Sequence, residues 1–312
     1  MIGFRGVRTP VRRAWRSDVS RPRSGPTVEH RVLAARLRLM REVAGKSLAD
    51  AAAELGKHTM TVRRIEAAET ALDIGQIETL LRLYRVPPRE IDATLTQVAA
   101  ASRAGWWHRH RAALSPGQHR WIGVESSASL IRVWHPTLVP DVLRTPRYAA
   151  ALHALCPGPS TASTDEVVAF LLARQRRLRE RGVRVWALLG EAALHAVVGD
   201  AEVMAEQRQA LREAVRCADS TVQVMPLAAP PHPLSEAPPL RLLRIPAPEI
   251  DDHAVWQTPG GNEEVTDAPS IVGALRQRLD AACAAVPPPT AQLPTLAGFE
   301  GLEGLEGKAA QR

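Results

Sequence analysis

Apolar residues recur at intervals of three and four from Val32 to Glu42, with Leu33, Leu37 and Met40 on one face, which predicts a helix ending at Gly45. Ser47 then reads as an N-cap, Leu48 to Leu55 as a short second helix halted at Gly56, and Thr59 as the start of a third. Helical periodicity continues through 75–84 and 88–102. After Gly105 the pattern changes. Residues 105–148 read as mixed helix and turn, and Asp165 to Arg181 as a strong helix. Its apolar stripe is Val168, Leu171, Leu172 and Leu178, and its charge run of Arg174, Arg176, Arg177, Arg179 and Arg181 is expected to be a solvated face. Val183 to Leu189 alternates as a strand should, Glu191–Val197 and Ala201–Cys217 read as helices, and Thr221–Met225, Leu240–Ile245 and Ala254–Gln257 complete a small sheet.

At the ends the periodicity fails. Residues 1–30 carry scattered Arg and Pro10, Pro22 and Pro26 without apolar patterning, so they are expected to form a disordered basic arm. Pro287-Pro288-Pro289 and the Gly-rich repeat from Gly298 to Gly307 mark 287–312 as a disordered tail. Between them the expected domains are 31–104, all helical, and 105–286, α+β.

Charge separates the same segments. Of 40 basic and 33 acidic residues, 1–30 hold seven against two, 31–104 twelve against nine, and 105–312 twenty-one against twenty-two. The excess of +7 therefore sits in the first third, which points to an anionic partner there and not in the second domain. No run approaches the ~20 apolar residues of a membrane helix, and the Arg-rich start lacks the apolar segment of a signal peptide, so the expected location is cytoplasmic, with no membrane partner. Cys156, Cys217 and Cys283 are odd in number and far apart, so they are expected to be buried small hydrophobes, neither disulfides nor zinc ligands.

From Leu48 to Glu66, small Ala52 and Gly56 and apolar Val62 and Ile65 hold the positions that let two short helices cross closely. This stretch resembles the helix-turn-helix of the Xre family, the lambda-repressor-like transcriptional regulators, over residues 31–102. The resemblance implies a five-helix DNA-binding domain whose third helix enters the major groove of double-stranded DNA. It makes Thr59, Met60, Arg63 and Arg64 the base readers, and places Lys57, His58 and Ser47 beside phosphates. It also pairs Arg41 with Glu66. Leu48 departs from the polar residue that the family commonly has there.

Further on, the Gly105-Trp-Trp start, Glu125, Ile131-Arg132, Leu138 to Tyr148, Arg174-Gln-Arg-Arg177, Trp186 to Leu194 and Thr221 to Pro226 follow one another in an order that resembles the C-terminal domain of actinobacterial antitoxin-like regulators. That likeness implies an effector or partner-binding domain. The fold expected is mainly α with α+β. The function expected is a sequence-specific DNA-binding regulator acting as a homodimer, coupled to a small-molecule effector or a small partner protein. The alternative is an antitoxin-like protein that restrains a small partner encoded nearby. An enzyme is not expected. His108, His110 and His119 lack a further ligand at zinc spacing, and Glu191 and His195 read as an i,i+4 surface contact. No nucleophile elbow, phosphate loop or dinucleotide fingerprint occurs, and no cofactor is expected.

Overall fold

A computed structural model describes residues 27–288 apart from 102–104, 159 and 260. The chain divides into two compact units, 1–104 and 105–312. Within the described residues no helix is long and apolar enough to cross a membrane.

The first unit is five helices: α1 (Val28–Val43), α2 (Leu48–Leu55), α3 (Thr59–Glu66), α4 (Ile74–Leu83) and α5 (Pro88–Ala101). Leu33, Leu37, Ile65, Ile77, Leu81 and Val98 form its main core. Ala51, Ala52, Val62, Leu80 and Tyr84 form a second, in which the two alanines let α2 lie close to α3 and α4. The helix-based reading of this unit holds, with one correction at its start. Residues 28–30, assigned above to a disordered arm, are the first turn of α1: the Thr27 hydroxyl accepts the His30 amide hydrogen bond at 3.2 Å, and Val28 and His30 are buried. The rest of the arm lies outside the described residues.

In the second unit a 3₁₀ segment (Trp106–Ala113) and α6 (Gln118–Glu125) precede β1 (Leu130–His135), a 3₁₀ turn (Asp141–Leu143), α7 (Pro146–Leu155) and α8 (Thr164–Glu180). Then come β2 (Arg184–Gly190), α9 (Ala192–His195), α10 (Ala201–Arg216), β3 (Ser220–Met225), β4 (Leu240–Arg244), β5 (His253–Gln257), β6 (Glu263–Thr266) and α11 (Pro269–Ala284). The six strands form one sheet in the order β3-β2-β1-β4-β5-β6. β1, β2 and β3 run parallel, each joined by helices, while β4, β5 and β6 are antiparallel to their neighbours. Alternation along the strands sends Val133, Ala187, Leu189, Val222 and Val224 to one face, against Tyr148, Leu194, Met204 and Leu211. Trp134, Leu188, Leu242 and Ala254 go to the other, against Val272, Leu279 and Ala282 of α11.

β1 corrects the reading of 105–148 as helix and turn. A strand with five of its six residues buried shows no polar alternation to announce it. The charge run on α8 is corrected as well: Arg174 is 1% exposed and shares the buried face with Phe170, Leu171, Gln175 and Leu178. Cys283 is buried as expected, but Cys156 and Cys217 are exposed, each being the residue just past a helix where the apolar face ends. Pro287, assigned to the tail, accepts a hydrogen bond from Gln223 Nε2 at 3.4 Å, because buried Val286 carries the packing of α11 one turn further; 289–312 lie outside the described residues.

Candidate functional site

Two features are candidates for a functional site, one in each unit. In the first, Ser47 caps α2: its Oγ accepts from the Asp50 amide at 3.1 Å, while its own N–H and O–H both donate to Asp50 Oδ2 at 2.8 Å. Gly56 closes α2 at φ 60 and ψ 36, the left-handed conformation that favours glycine. Two residues later His58 caps α3, its Nδ1 accepting from the Met60 amide at 3.2 Å, so in the neutral ring the proton sits on Nε2.

α3 is held from behind. Val62 and Ile65 are buried, and Arg41 grips Glu66 through two bonds, Nε to Oε1 at 2.7 Å and Nη2 to Oε2 at 2.9 Å, while its Nη1 donates to the Lys46 carbonyl at 3.0 Å. The bond to Glu66 raises the Arg41 pKa further above its ordinary value. One guanidinium therefore ties α1, the turn after it and the end of α3. The pairing expected from the resemblance is present.

The opposite side of α3 is open. Met60 is 49% exposed, Arg63 and Arg64 are exposed, Thr59 is half-buried, and Lys57 and His58 stand exposed in the turn. Arg64 approaches Glu69 at 3.9 Å with both side chains more than half exposed, a contact weak in solvent. Met60, Arg63 and Arg64, spaced by three and four, share one helical face. Thus six of the seven expected residues cluster on α3 and the turn before it. Ser47 differs: both of its donors are committed to Asp50.

The second feature lies where the sheet changes from parallel to antiparallel. There Arg174 reaches from α8 to Glu125 at the end of α6, with Nε to Oε2 and Nη2 to Oε1 both at 2.5 Å, and through Nη1 to Asp141 Oδ2 at 2.6 Å. Arg241 of β4 approaches Asp141 Oδ2 at 3.2 Å and Glu263 Oε1 of β6 at 3.5 Å. Trp121 lies beneath both guanidiniums, their Cζ atoms 5.2 and 4.4 Å from its ring, and its Nε1 donates to Glu263 Oε2 at 3.0 Å. Gln175 Nε2 donates to the carbonyls of Asp141 and Arg144 at 3.0 and 2.9 Å, fixing the turn that carries both.

Burial alone pushes Asp141 up, yet Arg174, Arg241 and Arg144 together outweigh it and hold this carboxyl well below the usual range. For Glu263 burial wins and the pKa rises, although Arg241 opposes it. His135 at the end of β1 is lowered to about 4, first by burial and then by Arg144; its Nδ1 accepts from the Leu138 amide at 3.0 Å, so it sits as the neutral ring. Sequence reasoning missed this cluster. Its one legible signal was the place of Arg174, three residues after Leu171 and four before Leu178, on the apolar stripe itself.

The histidines and carboxylates weighed for catalysis are scattered. His110 lies against the rings of Trp106 and Phe170, with centroids 6.1 and 6.0 Å away. Glu191 Oε1 is 3.7 Å from His195 Nε2, and its Oε2 accepts from the Leu227 amide at 2.7 Å. No group of three His, Cys, Asp or Glu among the described residues is placed to hold a metal.

Comparison with known proteins matches residues 32–94 to a helix-turn-helix domain, in agreement with the geometry of α2 and α3. Residues 118–292 match a second model, described as Domain of unknown function (DUF5753). No curated protein and no solved structure matches. The first domain suggests a DNA-binding regulator, and the second match spans more than half of the 312 residues, so the chain belongs to the family defined by that domain of unknown function.

Proposed function

We propose that the chain is a sequence-specific transcriptional regulator that lays α3 in the major groove of double-stranded DNA and sets its occupancy through the second unit. The supporting observation is the two-sided construction of α3: Val62, Ile65 and Glu66 anchor it, while Met60, Arg63 and Arg64 stand together on the solvent side. In this reading Arg64 takes the O6 and N7 edge of guanine with both guanidinium arms, Thr59, Met60 and Arg63 contact neighbouring bases, and Lys57 and His58 Nε2 meet phosphates. Ser47 reaches a phosphate only after releasing Asp50. Two chains acting as a pair cover two half-sites one helical turn, ~34 Å, apart.

Selection of binding sites from a random duplex pool tests the reading. The intact chain is expected to enrich one motif, and Arg64→Ala to lose preference at a single guanine position, worth ~1–3 kcal/mol of discrimination. An unchanged motif from a folded Arg64→Ala chain removes that residue from the reader; no enrichment by the wild type removes the function.

A further inference from the structure

Above the ion cluster opens a cavity of about 850 Å³, contained within the second unit. It sits at the carboxyl end of β1, which pairs parallel with β2 on one side and antiparallel with β4 on the other. At such a change of direction the chains leaving the sheet diverge and a crevice forms. Gly190 lies behind its lining: a Cβ there would lie 2.1 Å from the carbonyl oxygen of Pro136, so only glycine lets β2 end against the segment that lines the cavity.

The cavity is amphipathic. Leu152, Val167, Phe170 and Leu171 form an apolar wall from α7 and α8, while the polar end gathers Asp141, Arg144, Arg174 and Arg241. Within that polar end hydrogen-bonding capacity is left over. Asp141 Oδ1 and Arg241 Nη1 are buried without a hydrogen-bond partner, the nearest carboxylate oxygen to that Nη1 being Glu125 Oε1 at 3.7 Å. Arg144 donates its Nε to the Val139 carbonyl at 2.8 Å, and its two Nη groups bond to nothing among the described residues. Orphaned buried polar atoms are costly, and they persist where a ligand or water completes them. The donors left over suit an anion. Arg174 is committed to Glu125 and Asp141, so the unused guanidinium N–H groups at this end belong to Arg144 and Arg241.

We propose that this cavity binds a small organic acid, an apolar body on the wall of α7 and α8 whose anionic group takes the free guanidinium donors of Arg144 and Arg241, with a hydroxyl or N–H beside it for Asp141 Oδ1. The volume suits one drug-sized molecule. The site extends the reading of the second unit as a sensor, and supplies the chemical class of its effector.

The test uses the intact chain without DNA, so its failure and the failure of the DNA-binding reading are separate results. The probes are 8-anilinonaphthalene-1-sulfonate, an apolar body with an anionic group, and N-phenyl-1-naphthylamine, the same body without it. The sulfonate is expected to bind once per chain. Arg144→Gln should weaken it about tenfold or more, the effect of one charge-assisted hydrogen bond, and leave the neutral probe within about threefold. Val167→Trp, which fills the apolar wall without touching Arg144, should weaken both probes. In the wild-type chain decanoate should displace the sulfonate and 1-decanol should not, a comparison that needs no variant to fold. Equal displacement by the two, or sulfonate binding indifferent to both substitutions, overturns the proposal.

Discussion

Arg174 shows how little a residue's composition says about its work. It stands in a run with Arg176, Arg177 and Arg179, yet it alone of the four is buried, because the turn of α8 places it on the stripe between Leu171 and Leu178. Its partners Glu125 and Asp141 lie 49 and 33 residues away, a distance no local pattern reveals. Truncation to Met removes both bonds to Glu125 and leaves the two carboxylates to Arg241, and Arg174→Met is expected to lower the stability of the second unit by ~3–5 kcal/mol in urea denaturation, whereas Arg176→Met should change it by less than ~0.5. Equal effects would return Arg174 to the solvated face. His135 gives this unit a pH dependence. Its folded pKa, about 4, lies below the ordinary 6.5, so the stability tied to its neutral ring is complete above about 6.5 and is lost as pH falls toward 4. The interval corresponds to about 3 kcal/mol. Glu263, raised, acts in the opposite sense, and His30, also lowered by burial, belongs to the first unit. His135→Asn, which keeps an acceptor for the Leu138 amide, should therefore flatten the acid loss of stability in the second unit only. A profile as steep as wild type would mean that His135 protonates freely in the fold.

Elements with strong local punctuation were legible in the sequence. α2 spans the residues the reading gives it and α3 begins at Thr59 as expected, since Ser47, Gly56 and the short turn leave the chain few alternatives. β1 and β6 were not. β1 is buried on both faces and carries Arg132, Trp134 and His135, whose placement depends on partners supplied by α11 and by the cavity. β6 is a four-residue edge strand whose Glu263 is held by Trp121, 142 residues away. The Arg41–Glu66 pair makes a separate claim about α3. Because it lies behind the helix and not on its open face, Glu66→Ala should cost the first unit ~3–5 kcal/mol by leaving Arg41 only the more exposed Glu42, 3.6 Å away, and should leave the preferred DNA sequence unchanged in whatever protein remains folded. An altered motif at undiminished thermal stability would place Glu66 among the readers.

Over the whole molecule, charge and architecture divide together. The positive excess belongs to residues 1–104, and the 105–312 unit, at 21 basic against 22 acidic groups, turns Arg174 and Arg241 inward to Glu125, Asp141 and Glu263. Affinity for the DNA backbone should therefore come from the helical unit, and its size should follow the salt concentration through release of the counterions that phosphates hold. The most direct test is a salt titration of the intact chain on its selected duplex and on an unrelated one. The logarithm of the binding constant is expected to fall linearly with the logarithm of salt, with a slope of about −0.9 for each phosphate neutralised. Lys57→Ala should make the slope shallower by about 0.9 and weaken both duplexes alike. Affinity that stays level between ~50 and ~200 mM salt would contradict the assignment of this chain to DNA.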